Sequence, residues 1–64
     1  MIWVIEYIGM PPCWITEARD SRAFDVTFQR SLAQRFMCQE DAKHEILRLG
    51  LSGTWTAQQI GRNS

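Results

Sequence analysis

The chain has 64 residues, of which 11% are aromatic, and its seven basic and seven acidic residues give a formal net charge of zero. Residues 1–64 form a single domain, so small that a disulfide, a metal or an identical second chain is expected to add stability. The balanced charge argues against an acidic protein that mimics DNA and against a basic protein that binds nucleic acid.

The cysteine count and the lack of long apolar runs indicate a cytoplasmic protein. A secreted domain of this size would carry roughly four or more cysteines, whereas this chain has two. One bridge between Cys13 and Cys38 stays open as an alternative to two small, partly buried apolar side chains. Glu6 interrupts the apolar N-terminus, which lacks a basic leader, and no run approaches the roughly twenty apolar residues of a membrane span.

The first predicted element is a strand over residues 2–8, which are β-branched or aromatic almost throughout. Alternation along the strand places Trp3, Ile5 and Tyr7 on one face. This face is expected to meet a helix, because Glu6 lies on the other. The face with Glu6 also carries three apolar side chains, Ile2, Val4 and Ile8. It is therefore more apolar than the solvated face of an antiparallel sheet.

The next segments are assigned from their turn residues and their alternation. The prolines of residues 9–12 end the first strand, and residues 13–18 form a second, antiparallel strand. Residues 19–22 form a polar turn, and residues 23–28 form either a further strand or an ordered loop. Residues 29–34 are expected to form a turn or a single helical turn. This turn should pack three side chains under the main helix: Leu32, Ala33 and Phe36.

The main helix has a start, an apolar stripe and a stop within residues 36–51. The stripe recurs at helical spacing and consists of Ala42, Ile46, Leu49 and, widening it, Leu47. Acidic residues near its beginning and Arg48 near its end suit the helix dipole. Gly50 can adopt the left-handed conformation that a C-terminal cap requires.

These elements predict an α+β fold in the order β-β-α-β. A small antiparallel sheet of three strands, or four if residues 23–28 join it, carries one helix packed on one face. The last strand covers residues 54–60, with Trp55 and Ala57 on one face. The expected core comprises Trp3, Ile5, Phe36, Ala42, Ile46, Leu49 and Trp55.

No set of residues predicts an enzyme or a metal site, and no cofactor is expected. Structural zinc sites use about four ligands, usually with a closely spaced pair. Here the only candidates are Cys13, Cys38 and His44: the two cysteines are not close in the sequence, and the chain has a single histidine. Cys38 and His44 could form a nucleophile and base, but no third group or oxyanion hole accompanies them, and His44 is expected on the helix surface. Glu40 and Asp41 point about 100° apart on a helix, and no glycine-rich phosphate loop is present.

The middle of the chain combines basic and aromatic residues. The segment 19–35 contains Arg19, Arg22, Arg30 and Arg35, interleaved with Phe24 and Phe28. Aromatic rings between basic groups are typical of sites that hold single-stranded nucleic acid or a nucleotide. The alternative is a solvated loop whose charges pair with each other.

A resemblance to known proteins extends over nearly the whole chain. Leu32–Phe36 (LAQRF), the acidic helix start Glu40–Ala42 and the helix end Leu49–Leu51 are similar to the pattern of small phage-encoded proteins, mostly of unknown function. Cys38 departs from the Ser or Thr cap that is more frequent in that group. The resemblance implies a β-β-α-β fold. It also implies an inhibitor of a host protein, such as an anti-defence factor, in the bacterial cytoplasm.

Two functions of different classes follow. The first is a phage-type inhibitor or adaptor that binds a host protein and uses no catalysis, cofactor or metal. The alternative is a nucleic-acid or nucleotide binder that uses the segment 19–35. The candidate binding residues are Val4, Trp14, Arg19, Arg22, Phe24 and Arg30.

The apolar second face of the sheet predicts a homodimer or a larger symmetric oligomer. This face consists of Ile2, Val4, Ile8 and either Trp14 or Ile15. Such a contiguous patch is typical of an interaction site. Two-fold pairing through the sheet would cover it together with an edge strand and would add the burial that a short chain lacks. The competing hypothesis reserves the patch for a host target and leaves the free protein monomeric.

Overall fold

The computed structural model describes residues 2–20 and 23–60. In chain order, its elements are strand β1 (Ile2–Tyr7), strand β2 (Trp14–Asp20), strand β3 (Ala23–Thr27), a short 3-10 helix (Arg30–Leu32), helix α1 (Gln39–Arg48) and strand β4 (Trp55–Ile60). The strands form one antiparallel sheet in the order β3-β2-β1-β4, and α1 packs against it. The predicted α+β class is confirmed, and β3 is the fourth strand that the alternation of residues 23–28 left open.

The two halves of the sheet differ in regularity. β1 and β4 pair without interruption over the six residues of each strand. β2 and β3 pair with register shifts at Thr16 and Arg19, and such shifts bend a strand and increase its twist. The ring of Phe24 in β3 lies 5.9 Å from that of Trp55 in β4, although these strands form opposite edges of the sheet. The sheet is therefore strongly curved around its helix side.

A gap between the two central strands is filled by the segment 34–36. β1 and β2 pair at one register position and then diverge. On the β2 side of the gap, the Gln34 N–H donates to the Ile15 carbonyl at 2.9 Å. On the β1 side, Trp3 and Phe36 exchange two backbone hydrogen bonds of 2.9 and 2.8 Å. The connection from β3 to α1 therefore passes through the sheet from one face to the other.

The core on the helix side confirms the predicted list. Its buried centre consists of Ile5, Ile15, Ala42, Ile46 and Leu49. Trp3, Phe36 and Trp55 pack against this centre and are partly buried. The predicted list lacks Ile15, because the alternation of the second strand did not settle which of Trp14 and Ile15 faces the helix. The expectation that Leu47 widens the apolar stripe is wrong, since 71% of its surface is exposed.

The end of α1 confirms the role predicted for Gly50. Its φ is 67°, in the left-handed region, and its N–H donates to the Leu47 carbonyl at 3.1 Å. The Leu51 N–H donates to the Ile46 carbonyl at 3.0 Å, which completes the hydrogen-bond pair of a Schellman cap. At the other end, Cys38 is the N-cap residue and makes no side-chain hydrogen bond to the helix. The helix start therefore lacks the stabilisation of a side-chain cap.

A second, smaller core lies on the opposite face of the sheet. Val4, Ala33 and Ile60 are buried there, and Ile2 and Trp14 pack against them. Ala33 comes from the connection between β3 and α1, so the part of this face around Val4 is covered within one chain. The prediction of an open apolar face is therefore wrong at Val4, whose exposed fraction is 0%. Ile8, which the sequence pattern assigns to the same apolar face, is 59% exposed.

In the connection between β3 and α1, the packing of Leu32 and Ala33 differs from the prediction, whereas that of Phe36 agrees with it. Ala33 lies in the second core and not under the helix, and Leu32 points outward with 59% of its surface exposed. Phe36 does pack in the helix-side core, as predicted. This difference arises because the chain crosses the sheet between Ala33 and Phe36.

Candidate interaction surfaces

Several of the predicted binding residues have structural roles. Val4 is fully buried, and Trp14 is partly buried beside it, with an indole Nε1–H that has no hydrogen-bond partner among the described residues. Phe24 packs edge-to-face on Trp55, which makes it part of the helix-side core. Arg22 lies outside the described residues. Val4, Trp14 and Phe24 therefore offer little surface for a partner in this structure.

The two remaining predicted residues, Arg19 and Arg30, are exposed. The Arg19 guanidinium lies 3.9 Å from the exposed carboxylate of Glu17, and its backbone carbonyl accepts a hydrogen bond of 3.3 Å from Arg48 Nη1. Arg30 begins the 3-10 helix. Of the two aromatic rings in the segment 19–35, Phe28 is exposed, whereas Phe24 is half-buried in the core.

Phe28 is part of a continuous exposed segment, Phe28–Leu32, which we call the 28–32 ridge. All of its residues are exposed, including 67% of the Phe28 surface and 59% of the Leu32 surface. Arg30 lies between these two apolar residues in the sequence. An aromatic, an aliphatic and an arginine side chain are thus presented to solvent within a few residues.

Backbone hydrogen bonds hold the 28–32 ridge in place. The Gln29 N–H donates to Thr27 Oγ1 at 3.0 Å, and the Leu32 N–H donates to the Gln29 carbonyl at 3.0 Å. The Ala33 N–H donates to the Arg30 carbonyl at 3.1 Å, and the Ala33 side chain is buried in the second core. The ridge is therefore anchored at both ends by contacts that do not use its exposed side chains. In the sequence, its only signal is the occurrence of Phe28 and Leu32 in an otherwise polar stretch.

A second candidate surface is an open groove between α1 and β4, with a volume of about 290 Å³. Its walls are formed by Lys43, Ile46, Leu47, Ser52, Gly53, Trp55, Thr56 and Ala57. The exposed Leu47 side chain and the partly buried Trp55 ring make much of this lining apolar. The groove runs beside β4, which is an edge strand of the sheet.

For each residue of β4, the register shows whether its backbone N–H and C=O point toward β1 or outward. In antiparallel pairs, residues whose backbone groups bond to the neighbouring strand alternate with residues whose groups point outward. The Ile8 N–H donates to the Thr54 carbonyl at 2.9 Å, which fixes this alternation for the register of β1 and β4. The inward residues of β4 are therefore Thr56, Gln58 and Ile60. The outward residues are Trp55, Ala57 and Gln59.

The pKa shifts of the described side chains have local causes. Burial raises the pKa of the Cys13 thiol, and hydrogen bonds from Arg48 lower the pKa of the Glu45 carboxyl despite its partial burial. Cys13 and Cys38 are both free thiols. Among residues 2–20 and 23–60, no three side chains of His, Cys, Asp or Glu lie together as a metal site requires. No helix in this part of the chain has the length and apolar character to cross a bilayer.

Comparison of the chain with protein-family models, with curated proteins and with solved structures gives no match. The resemblance to small phage-encoded proteins therefore stays a prediction.

Proposed function

We propose that this protein acts by binding another protein, as a small inhibitor or adaptor of a host protein in the bacterial cytoplasm. The observation that carries the proposal is the 28–32 ridge, where Phe28 and Leu32 are exposed on either side of Arg30. Aromatic residues and arginine are enriched at protein interfaces, and a few of them supply most of the binding energy. The host and phage parts of the proposal come from the sequence resemblance.

The anchoring of the ridge favours binding of a folded partner. The hydrogen bonds to Thr27 Oγ1 and within the 3-10 helix hold the ridge backbone, so little backbone entropy would be lost on association. At the C-terminal end of the ridge, the side chain of Ala33 is buried in the second core. A rigid surface with exposed apolar side chains needs only to order those side chains when it binds.

The alternative, a nucleic-acid or nucleotide binder, has weaker support. Stacking of successive bases requires several accessible aromatic rings beside basic groups. In the segment 19–35, the Phe24 ring is engaged by Trp55, and Arg19 lies beside Glu17. The formal net charge of zero also supplies no general attraction for phosphate.

A pull-down from bacterial lysate tests the proposal with three tagged proteins: wild type, Phe28→Ala and Met10→Ala. Met10 is a matched control, because it is 88% exposed and lies in the loop after β1. A hot-spot side chain contributes about 2 kcal/mol, so Phe28→Ala should weaken capture of the partner by roughly 30-fold, whereas Met10→Ala should not. Circular dichroism would establish that both variants fold.

Two controls separate the classes of function. Capture by the ridge should survive nuclease treatment and change little with salt. Loss of the captured material on nuclease treatment, or a steep decrease with salt, would favour the nucleic-acid alternative. Equal capture by Phe28→Ala and wild type would contradict a role for the ridge.

A further inference from the structure

We propose that the edge of β4 at Ala57 and Gln59, together with the groove beside α1, binds an extended segment of another protein that carries an acidic residue two positions before an apolar one. The segment pairs with β4 as an additional antiparallel strand, as every strand pair within the sheet is antiparallel. This surface lies at the edge of the sheet opposite β3 and does not include the 28–32 ridge. The proposal therefore goes beyond the proposed function and can succeed or fail independently of it.

The chain itself covers the outer edge of β4 at Trp55. The Trp55 N–H donates to the Leu51 carbonyl at 3.1 Å, and Ser52 and Trp55 form a parallel β-bridge. Residues 51–53 thus pair with the start of β4 as a short outer strand. They set one end of the free edge, because no further strand can pair with Trp55.

The edge of β4 beyond Trp55 is open, and its outward residues are Ala57 and Gln59. The Ala57 N–H, the Ala57 carbonyl and the Gln59 N–H have no hydrogen-bond partner among the described residues, and the Gln59 carbonyl accepts one long bond of 3.5 Å from Gln58 Nε2. Exposed edges are usually protected by charges, prolines or bulges, and β4 has none of these. The open edge therefore offers backbone donors and acceptors to an extended segment of about three residues.

The groove lies beside this open edge and favours an apolar side chain in the bound segment. Ala57 belongs to its lining, together with Ile46, Leu47 and Trp55. A residue directly opposite Ala57 in an antiparallel strand shares its face of the sheet, and Ala57 packs toward the helix-side core. The opposing residue therefore points to the helix side, where the groove lies. An apolar side chain there covers Leu47, which is 71% exposed.

Lys43 favours an acidic residue as the second feature of the segment. It is the only charged residue in the lining of the groove, it is exposed, and it has no ion pair with any described residue. Lys43 lies one helical turn before Leu47, farther along α1 from the loop that leads into β4. In an antiparallel segment, the residue two positions before the one opposite Ala57 lies opposite Gln59 and faces the same side. A carboxylate at this position complements the Lys43 ammonium.

A second copy of this chain fits the open edge less well than a segment of another protein. Antiparallel pairing of two β4 strands about Ala57 would place Gln59 of the second copy against Trp55, where residues 51–53 already lie. β4 also contains no acidic residue that could pair with Lys43. A segment of another protein can carry the carboxylate and can leave the edge before Trp55.

Titration of isotope-labelled protein with a synthetic peptide, followed by two-dimensional NMR, tests this mode of binding. The peptide acetyl-Thr-Asp-Thr-Leu-Thr-Thr-amide should shift the amide signals of Ala57 and Gln59 and leave those of Phe28 and Leu32 unchanged. N-methylation of the peptide leucine removes the N–H that donates to the Ala57 carbonyl and should weaken binding about tenfold or more. N-methylation of the threonine that follows is the matched control, because this N–H points away from β4.

Substitutions at exposed positions test the two side-chain contacts. Lys43→Glu should weaken binding of this peptide about two- to fivefold, and should favour a peptide with lysine in place of the aspartate. Leu47→Ala should also weaken binding, whereas Leu32→Ala, an exposed leucine of the 28–32 ridge, should not. Circular dichroism of these variants should show the wild-type fold, since all three side chains are exposed.

Three results would overturn the proposal: unshifted Ala57 and Gln59 amides at millimolar peptide, equal binding of the two N-methylated peptides, or the same peptide preference in Lys43→Glu and wild type. Shifts of the same amides with protein concentration alone, accompanied by a doubled mass, would also overturn it, because a second copy would then occupy the edge.

Discussion

Replacement of Val4 by alanine tests whether the second face of the sheet is covered within one chain. Val4 is 0% exposed and packs in the second core with Ala33 and Ile60. The substitution removes two buried carbon atoms at about 0.8 kcal/mol each and leaves a small cavity, so the free energy of unfolding should fall by about 2 kcal/mol. The total free energy of unfolding of a chain of this length is only about 3–10 kcal/mol, so the substitution should remove a large part of it.

Urea unfolding followed by tryptophan fluorescence, at one fixed protein concentration, measures this loss. In a thermal scan the midpoint should fall by roughly 8–16 °C. Val26→Ala is the matched control, because Val26 also lies in a strand but is 43% exposed. Val26→Ala should lower the free energy of unfolding by about 1 kcal/mol or less, since much of the Val26 side chain is in contact with water in the folded protein. Equal, small losses for the two variants would refute the second core and restore an open sheet face at Val4.

Three further predictions concern local contacts. Arg48 lowers the pKa of Glu45 in the folded protein, so the stability from their ion pair is present above the ordinary glutamate pKa and is lost as pH falls through the lowered value. Urea unfolding at a series of acidic pH values should show a shallower loss for Glu45→Gln than for wild type. Gly50→Ala should lower the free energy of unfolding by about 1 kcal/mol in the same assay, because the φ of 67° at Gly50 is strained for alanine. An unchanged urea midpoint would contradict the C-terminal cap. In Gly9→Ala the new Cβ would lie 2.5 Å from Tyr7 Cε2, so the ring must move and the near-ultraviolet circular dichroism should change; an identical spectrum would contradict that contact.

Features set by local sequence could be predicted correctly. Alternation in β1 placed Trp3 and Ile5 toward the helix, and helical spacing placed Ala42 and Ile46 in the same core. The conformational freedom of glycine located the helix end at Gly50. These signals involve residues close together in the chain, so no knowledge of the tertiary contacts was needed.

The passage of residues 34–36 through the sheet could not be predicted in this way. It depends on the divergence of β1 and β2 and on hydrogen bonds between residues far apart in the chain, such as Gln34 with Ile15. Without this crossing, the sequence pattern predicts Ala33 under the helix and Val4 on an open face. The same error hid the exposed position of Leu32. The outward residues of β4 likewise follow from its register with β1, which the sequence alone does not determine.

Site-specific photo-crosslinking in bacterial cells tests the central claim, that the 28–32 ridge binds a protein, most directly. A benzoylphenylalanine probe would replace Phe28 in one protein and Met10 in another, since both side chains are exposed in the wild type. The probe at position 28 should give a discrete adduct with a host protein, resistant to nuclease and absent with the probe at position 10. Identical adducts from both positions, adducts only with nucleic acid, or adducts only between copies of this chain would contradict the claim.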